Sequence, residues 1–94
     1  MDIPIACTLD AGALVGRREE WAALRRFRTG ERRTASTLTT TWRRATGVEA
    51  EIERLVAAER ECCQFLGLEL TVRDASVTLV TSFPQGLSPN DWEW

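Results

Sequence analysis

A chain of 94 residues is long enough for one domain with one modest core. Its 44% hydrophobic and 28% charged residues match ordinary globular usage and exclude a disordered polymer, which carries few apolar groups and a large net charge. The 12 basic residues, all Arg, nearly cancel the 14 acidic ones, and the absence of His and Lys removes imidazole bases, Cys-His pairs, imidazole metal ligands and Schiff-base chemistry.

Residues 2–9 alternate, with Ile3, Ile5, Cys7 and Leu9 on one side, as in a half-buried strand. Pro4 puts that strand near an edge or near its first residues. The segment Met1 to Leu9 contains Asp2 and no basic run, unlike a signal peptide. No apolar stretch approaches the roughly 20 residues that span a bilayer, so a cytoplasmic protein with no membrane contact is expected, its cysteines thiols by default.

Asp10 suits the N-cap of a helix over about 11–27, with Leu14, Trp21 and Leu24 on one face and Thr29-Gly30 as its stop. Residues 31–46 are polar, and the β-branched stretch Thr34 to Trp42 predicts one strand, or a hairpin beginning near Arg32. A second helix is predicted from Gly47 to about Leu66, carrying Val48, Ile52, Leu55, Val56, Cys63 and Leu66 at helical spacing, with Gly67 as its C-cap. Leu68, Leu70 and Val72, a turn at Asp74-Ala75-Ser76, then Val77 and Leu79 predict a β-hairpin. Pro84, Gly86 and Pro89 make residues 84–94 an irregular tail of the same single domain, residues 1–94. The predicted order is β-α-β(β)-α-β-β. The expected fold class is α+β: a two-layer sandwich with one mainly antiparallel sheet covered on one face by two helices.

On a helical wheel of the second helix, Ile52, Val56 and Cys63 form one flank of the apolar stripe, and Val48, Leu55, Cys62 and Leu66 form the other. Glu59 falls between them. A lone buried carboxylate is costly, so it usually pairs or becomes protonated; Arg17, Arg18 and Arg25 are candidate partners on the first helix. Cys62 and Cys63, three and four residues on, can share the face with Glu59, and Cys7 lies on the inward parity of the opening strand. Cys7, Cys62, Cys63 and Glu59 therefore form a candidate site for a soft ion such as Hg(II), Zn(II), Cu(I) or As(III). Adjacent cysteines on one helix point about 100° apart, so a shared ion requires a helix end or a local distortion. Two other readings stand beside this one. The cysteines are small core residues, or they are redox thiols, although Glu59 and a helix C-terminus both oppose a thiolate. A Cys62–Cys63 disulfide would be strained.

Ile5-Ala6-Cys7-Thr8-Leu9, together with Ala57 to Leu66 before a hairpin, resembles a family of short bacterial proteins with an I-x-C-x-L … E-x-x-C-C-x-F pattern. That family is associated with neighbourhoods of heavy-metal resistance and MerR-type regulators. The resemblance covers residues 3–83 and implies metal or metalloid handling, with Cys7, Glu59, Cys62 and Cys63 at the matching positions.

The run Arg25, Arg26, Arg28, Arg32, Arg33, Arg43 and Arg44 would suit phosphate, but the net charge of −2 and the lack of a nucleic-acid motif favour a solvated face with ion pairs. Trp92 and Trp94 are expected to dock on the domain or on a partner, and exposed sheet edges would serve a homodimer. The leading expectation is a non-enzymatic domain that binds or senses a soft metal or metalloid. The alternative is a protein-interaction or accessory module, as a homodimer, whose cysteines are only core.

Overall fold

The computed structural model describes the backbone of residues 11–94 and the side chains of residues 16–90 and 92–94. The strand expected over 2–9, with Cys7, and the Asp10 cap lie outside the described residues, as does the side chain of Leu14. From Ala11 onward the order is α1 (Ala11–Leu24), β1 (Arg28–Arg33), β2 (Thr37–Arg43), α2 (Val48–Cys62), β3 (Gly67–Val72) and β4 (Ser76–Ser82). A 3-10 turn, Arg25–Phe27, extends α1 to the end expected for the first helix, and a second, Pro89–Asp91, lies in the tail. The described part is α+β, with two helices and one antiparallel sheet ordered β1-β2-β4-β3.

Residues 28–43 take the hairpin form of the expectation, although β1 begins at Arg28 rather than near Arg32. Its loop is tied by Thr34, whose hydroxyl accepts from the backbone of Ser36 at 3.3 Å and of Thr37 at 3.0 Å. The hairpin β3–β4 appears as expected, with Leu70 opposite Leu79 and Val72 opposite Val77. The two hairpins join through β2 and β4, where Trp42 pairs with Val77 and Thr40 with Leu79. The alternation of side chains decides which face is covered: Leu38, Thr40, Trp42, Val77, Leu79 and Thr81 are all buried, while Thr39, Thr41, Thr78 and Val80 between them remain partly exposed.

Helix α2 buries the stripe read from its sequence: Val48, Ile52, Leu55, Val56, Glu59 and Cys62. Gly47 begins it at φ 82°, a left-handed conformation that an L side chain rarely adopts. Glu49 and Glu51 in the first turn and Arg60 in the last complement its dipole. The helix stops at Cys62, four residues short of the expected end at Leu66. Gly67 is not its cap. It opens β3 opposite Ser82, and a Cβ built there would come 3.2 Å from the Ser82 Cβ.

The tail closes the core. Trp94 packs on Trp21 with ring centroids 4.5 Å apart, Trp21 lies 5.9 Å from Trp42, and Trp92 lies 5.3 Å from Trp94 and 5.8 Å from Phe83. Trp94 Nε1 donates to the Thr81 hydroxyl at 2.9 Å. Arg25 donates to the Trp94 carbonyl at 3.0 Å and Arg33 to the Trp92 carbonyl at 2.9 Å. Both tail tryptophans therefore dock on their own domain.

Candidate functional site

The cluster sits where α2 ends. Its position follows from the helical repeat, which carries Glu59 and Cys62 onto the face already committed to the core by Ile52, Leu55 and Val56. Glu59, Cys62 and Cys63 are all buried, at 4%, 3% and 2% relative exposure. One carboxylate oxygen of Glu59 and the two sulfurs lie within 4.8 Å of one another.

The convergence of adjacent cysteines has a local cause. Cys63 leaves the helix at φ −118°, ψ 64°, and acts as its C-cap. Its backbone N–H donates to the Glu59 carbonyl at 2.6 Å, while its own carbonyl accepts from Leu66 N–H at 3.0 Å. The 100° separation imposed by a regular helix therefore does not apply between Cys62 and Cys63.

Glu59 is held from helix α1. Trp21 Nε1 donates to Oε2 at 2.7 Å, and Arg17 Nη1 lies 3.1 Å from Oε1 as an ion pair. That Arg17 nitrogen is buried and makes no aligned hydrogen bond among the described residues, so its contact with Glu59 is electrostatic. Arg17 and Trp21 are one helical turn apart and face the same way. Arg17 was among the partners expected from sequence. Trp21 was expected only as core; its i+4 spacing from Arg17 was the available signal. Arg25, another of the expected candidates, is used by the tail through Trp94 and a 3.0 Å ion pair with Glu93.

The two sulfurs differ. Cys63 is a free thiol. Its Sγ lies 3.8 Å from Glu59 Oε1, as a donor. Burial, then the charge of Glu59 and this hydrogen bond, push its pKa up to about 12, against a smaller opposing effect of Arg17. At neutral pH it is a protonated, weakly nucleophilic thiol. Cys62 is disulfide-bonded, so it is not a thiol as expected, and since Cys63 is free the adjacent pair is not joined to itself. Cys7 lies outside the described residues.

The three groups could hold a metal ion. Zinc–sulfur bonds of about 2.3 Å in a tetrahedral shell put ligand atoms roughly 3.8 Å apart, inside the span of the cluster. Two sulfurs and a carboxylate are ligands that thiophilic ions accept. Such binding needs both sulfurs as thiolates, hence a reduced Cys62.

The arginine run is largely taken up by the protein itself. Arg28 and Arg33 pair with Glu31, Arg44 pairs with Glu49 at 2.6 Å, and Arg26 and Arg43 stack on the Phe27 ring at 4.7 and 5.1 Å. Among the described residues, no helix is long and apolar enough to cross a membrane. Compared with protein-family models, curated proteins and solved structures, the chain has no match.

Proposed function

We propose that this domain binds a soft metal or metalloid ion through the cysteine thiolates at the end of α2, without catalysing a reaction. The supporting observation is the buried convergence of Glu59, Cys62 and Cys63 within 4.8 Å. Two thiolates would carry most of the bonding to Hg(II), Cu(I), Zn(II) or As(III), and Glu59, already oriented by Trp21 and Arg17, would supply the third donor. A chain without His offers no imidazole base to activate either sulfur, which favours binding over nucleophilic catalysis.

The test is titration of the reduced chain with Zn(II) or Hg(II), read by equilibrium dialysis. Binding of about one ion per chain is expected from a single thiolate site, with loss in Cys63→Ser and in Cys62→Ser. Stoichiometric binding that survives both substitutions would sink the proposal.

A second reading has its own support. Glu59 is already satisfied by Trp21 and Arg17, so the cluster is also a complete structural tie between the helices. In that reading the domain is an interaction or accessory module whose cysteines are core, and neither substitution changes the metal content.

A further inference from the structure

The two cysteines of the cluster are in different covalent states, and that asymmetry has a consequence for the site. We propose that metal binding at the end of α2 is gated by the redox state of Cys62: the disulfide form is closed to metal and the dithiol form is open. This rests on the metal-binding reading above and adds its regulation.

The chemistry follows from the donors. A disulfide sulfur carries no negative charge and is a poor ligand, whereas a thiolate is a strong one. With Cys62 oxidised, the cluster retains the Cys63 thiol and the Glu59 carboxylate, and that carboxylate is already held by Trp21 and Arg17. One sulfur and an engaged carboxylate are too few donors to hold a thiophilic ion. Reduction by an external dithiol breaks the S–S bond at Cys62. Two electrons and two protons pass to the two sulfurs, and the dithiol closes into its own disulfide. Cys62 Sγ then stands free beside Cys63 Sγ and Glu59. A divalent ion binding both sulfurs displaces two protons, one from each thiol. The metal thus holds the reduced state and opposes reoxidation by mass action.

Cys63 is suited to be the constant partner. It is a free thiol, and its proton is directed at Glu59. The gate therefore needs only one of the two adjacent sulfurs to change state.

The full chain is purified in air and divided. One half is reduced with a phosphine and desalted without oxygen. Peptide mapping after alkylation of the unfolded chain verifies the states: Cys63 is modified in both halves, Cys62 only in the reduced one. Both halves are titrated with Cd(II), read by the ultraviolet thiolate-to-metal charge-transfer band. The expected result is a saturable band in the reduced half and its loss in the oxidised half, with tryptophan fluorescence showing both folded. Reoxidising the reduced half should abolish the band again. An equal band in both halves overturns the gate and leaves the metal-binding reading intact. No binding in either half overturns both. Cys62 found alkylated without reduction overturns the gate alone. The comparison uses the parent chain, so it does not depend on a variant folding; Cys62→Ser, which removes the disulfide, should show no band in either state.

Discussion

The two ends of the core use the same tryptophan for different purposes. At one end Trp21 is an aromatic surface, packed on Trp42 and Trp94 and closed by Trp92 and Phe83. At the other end its Nε1 is a hydrogen-bond donor that holds the Glu59 carboxylate beside two sulfurs. The aromatic end gains by removing large apolar area from water, a non-directional effect that tolerates several arrangements. The polar end depends on direction: Glu59 can be buried only because a donor and a cation are aimed at it. Contact area secures the first region and partner placement the second, so the polar end is where ligand chemistry can be varied without dismantling the fold.

Substitutions can break this comparison. The largest effect is expected at the aromatic end, where Trp42→Ala should lower stability in urea unfolding by about 3–5 kcal/mol through the cavity it leaves. A loss under 1 kcal/mol would show that the cluster is not the main packing element. Next comes the shared residue. Trp21→Phe keeps most of the ring and removes the donor to Glu59, with an expected loss of about 1–3 kcal/mol. A double-mutant cycle with Glu59→Gln should give a coupling of about 0.5–3 kcal/mol, whereas additive losses would mean the hydrogen bond contributes nothing.

A smaller effect is expected from pH. Cys63 is held protonated in the fold, its pKa raised from the ordinary 9.0 to about 12, so its contribution to stability is complete below about 9 and is lost as pH rises towards 12. Reduced, metal-free chain should accordingly lose stability over that window, and Cys63→Ser should flatten the slope. Alkylation of Cys63 at pH 8 should be slower than that of a free thiol by the same cause; a rate equal to free thiol would contradict the buried hydrogen bond to Glu59. The smallest effect belongs to the surface. Arg54 bridges Glu20 and Glu51 in solvent, and Arg54→Ala should leave the unfolding midpoint unchanged within error, since exposed ion pairs are offset by hydration and screening.

Much of this was legible in the residues. The 3.6-residue period named the buried face of α2, Glu59 included, and the two-residue alternation named the covered faces of β2 and β4. These are local rules, in which the repeat of the backbone dictates which side chains share a side. The end of α2 was not legible. Gly67 offered a natural stop, yet the helix yields at Cys63, and Gly67 instead opens the strand that pairs with β4. Equally hidden was the fate of the arginines, because any of several could have met Glu59 and only packing brought Arg17 to it while Arg25 and Arg33 turned to the tail.

By itself the sequence determined the two helices and the second hairpin, the inward faces of α2, β2 and β4, and the meeting of Glu59 with Cys62 and Cys63, because periodicity acts over a few neighbours. Only the tertiary structure decided that Trp21 serves Glu59, that the tail tryptophans complete the core, and that the adjacent cysteines differ in covalent state. Those outcomes join residues tens of positions apart, and it is the closing of the chain that selects among partners of equal local merit.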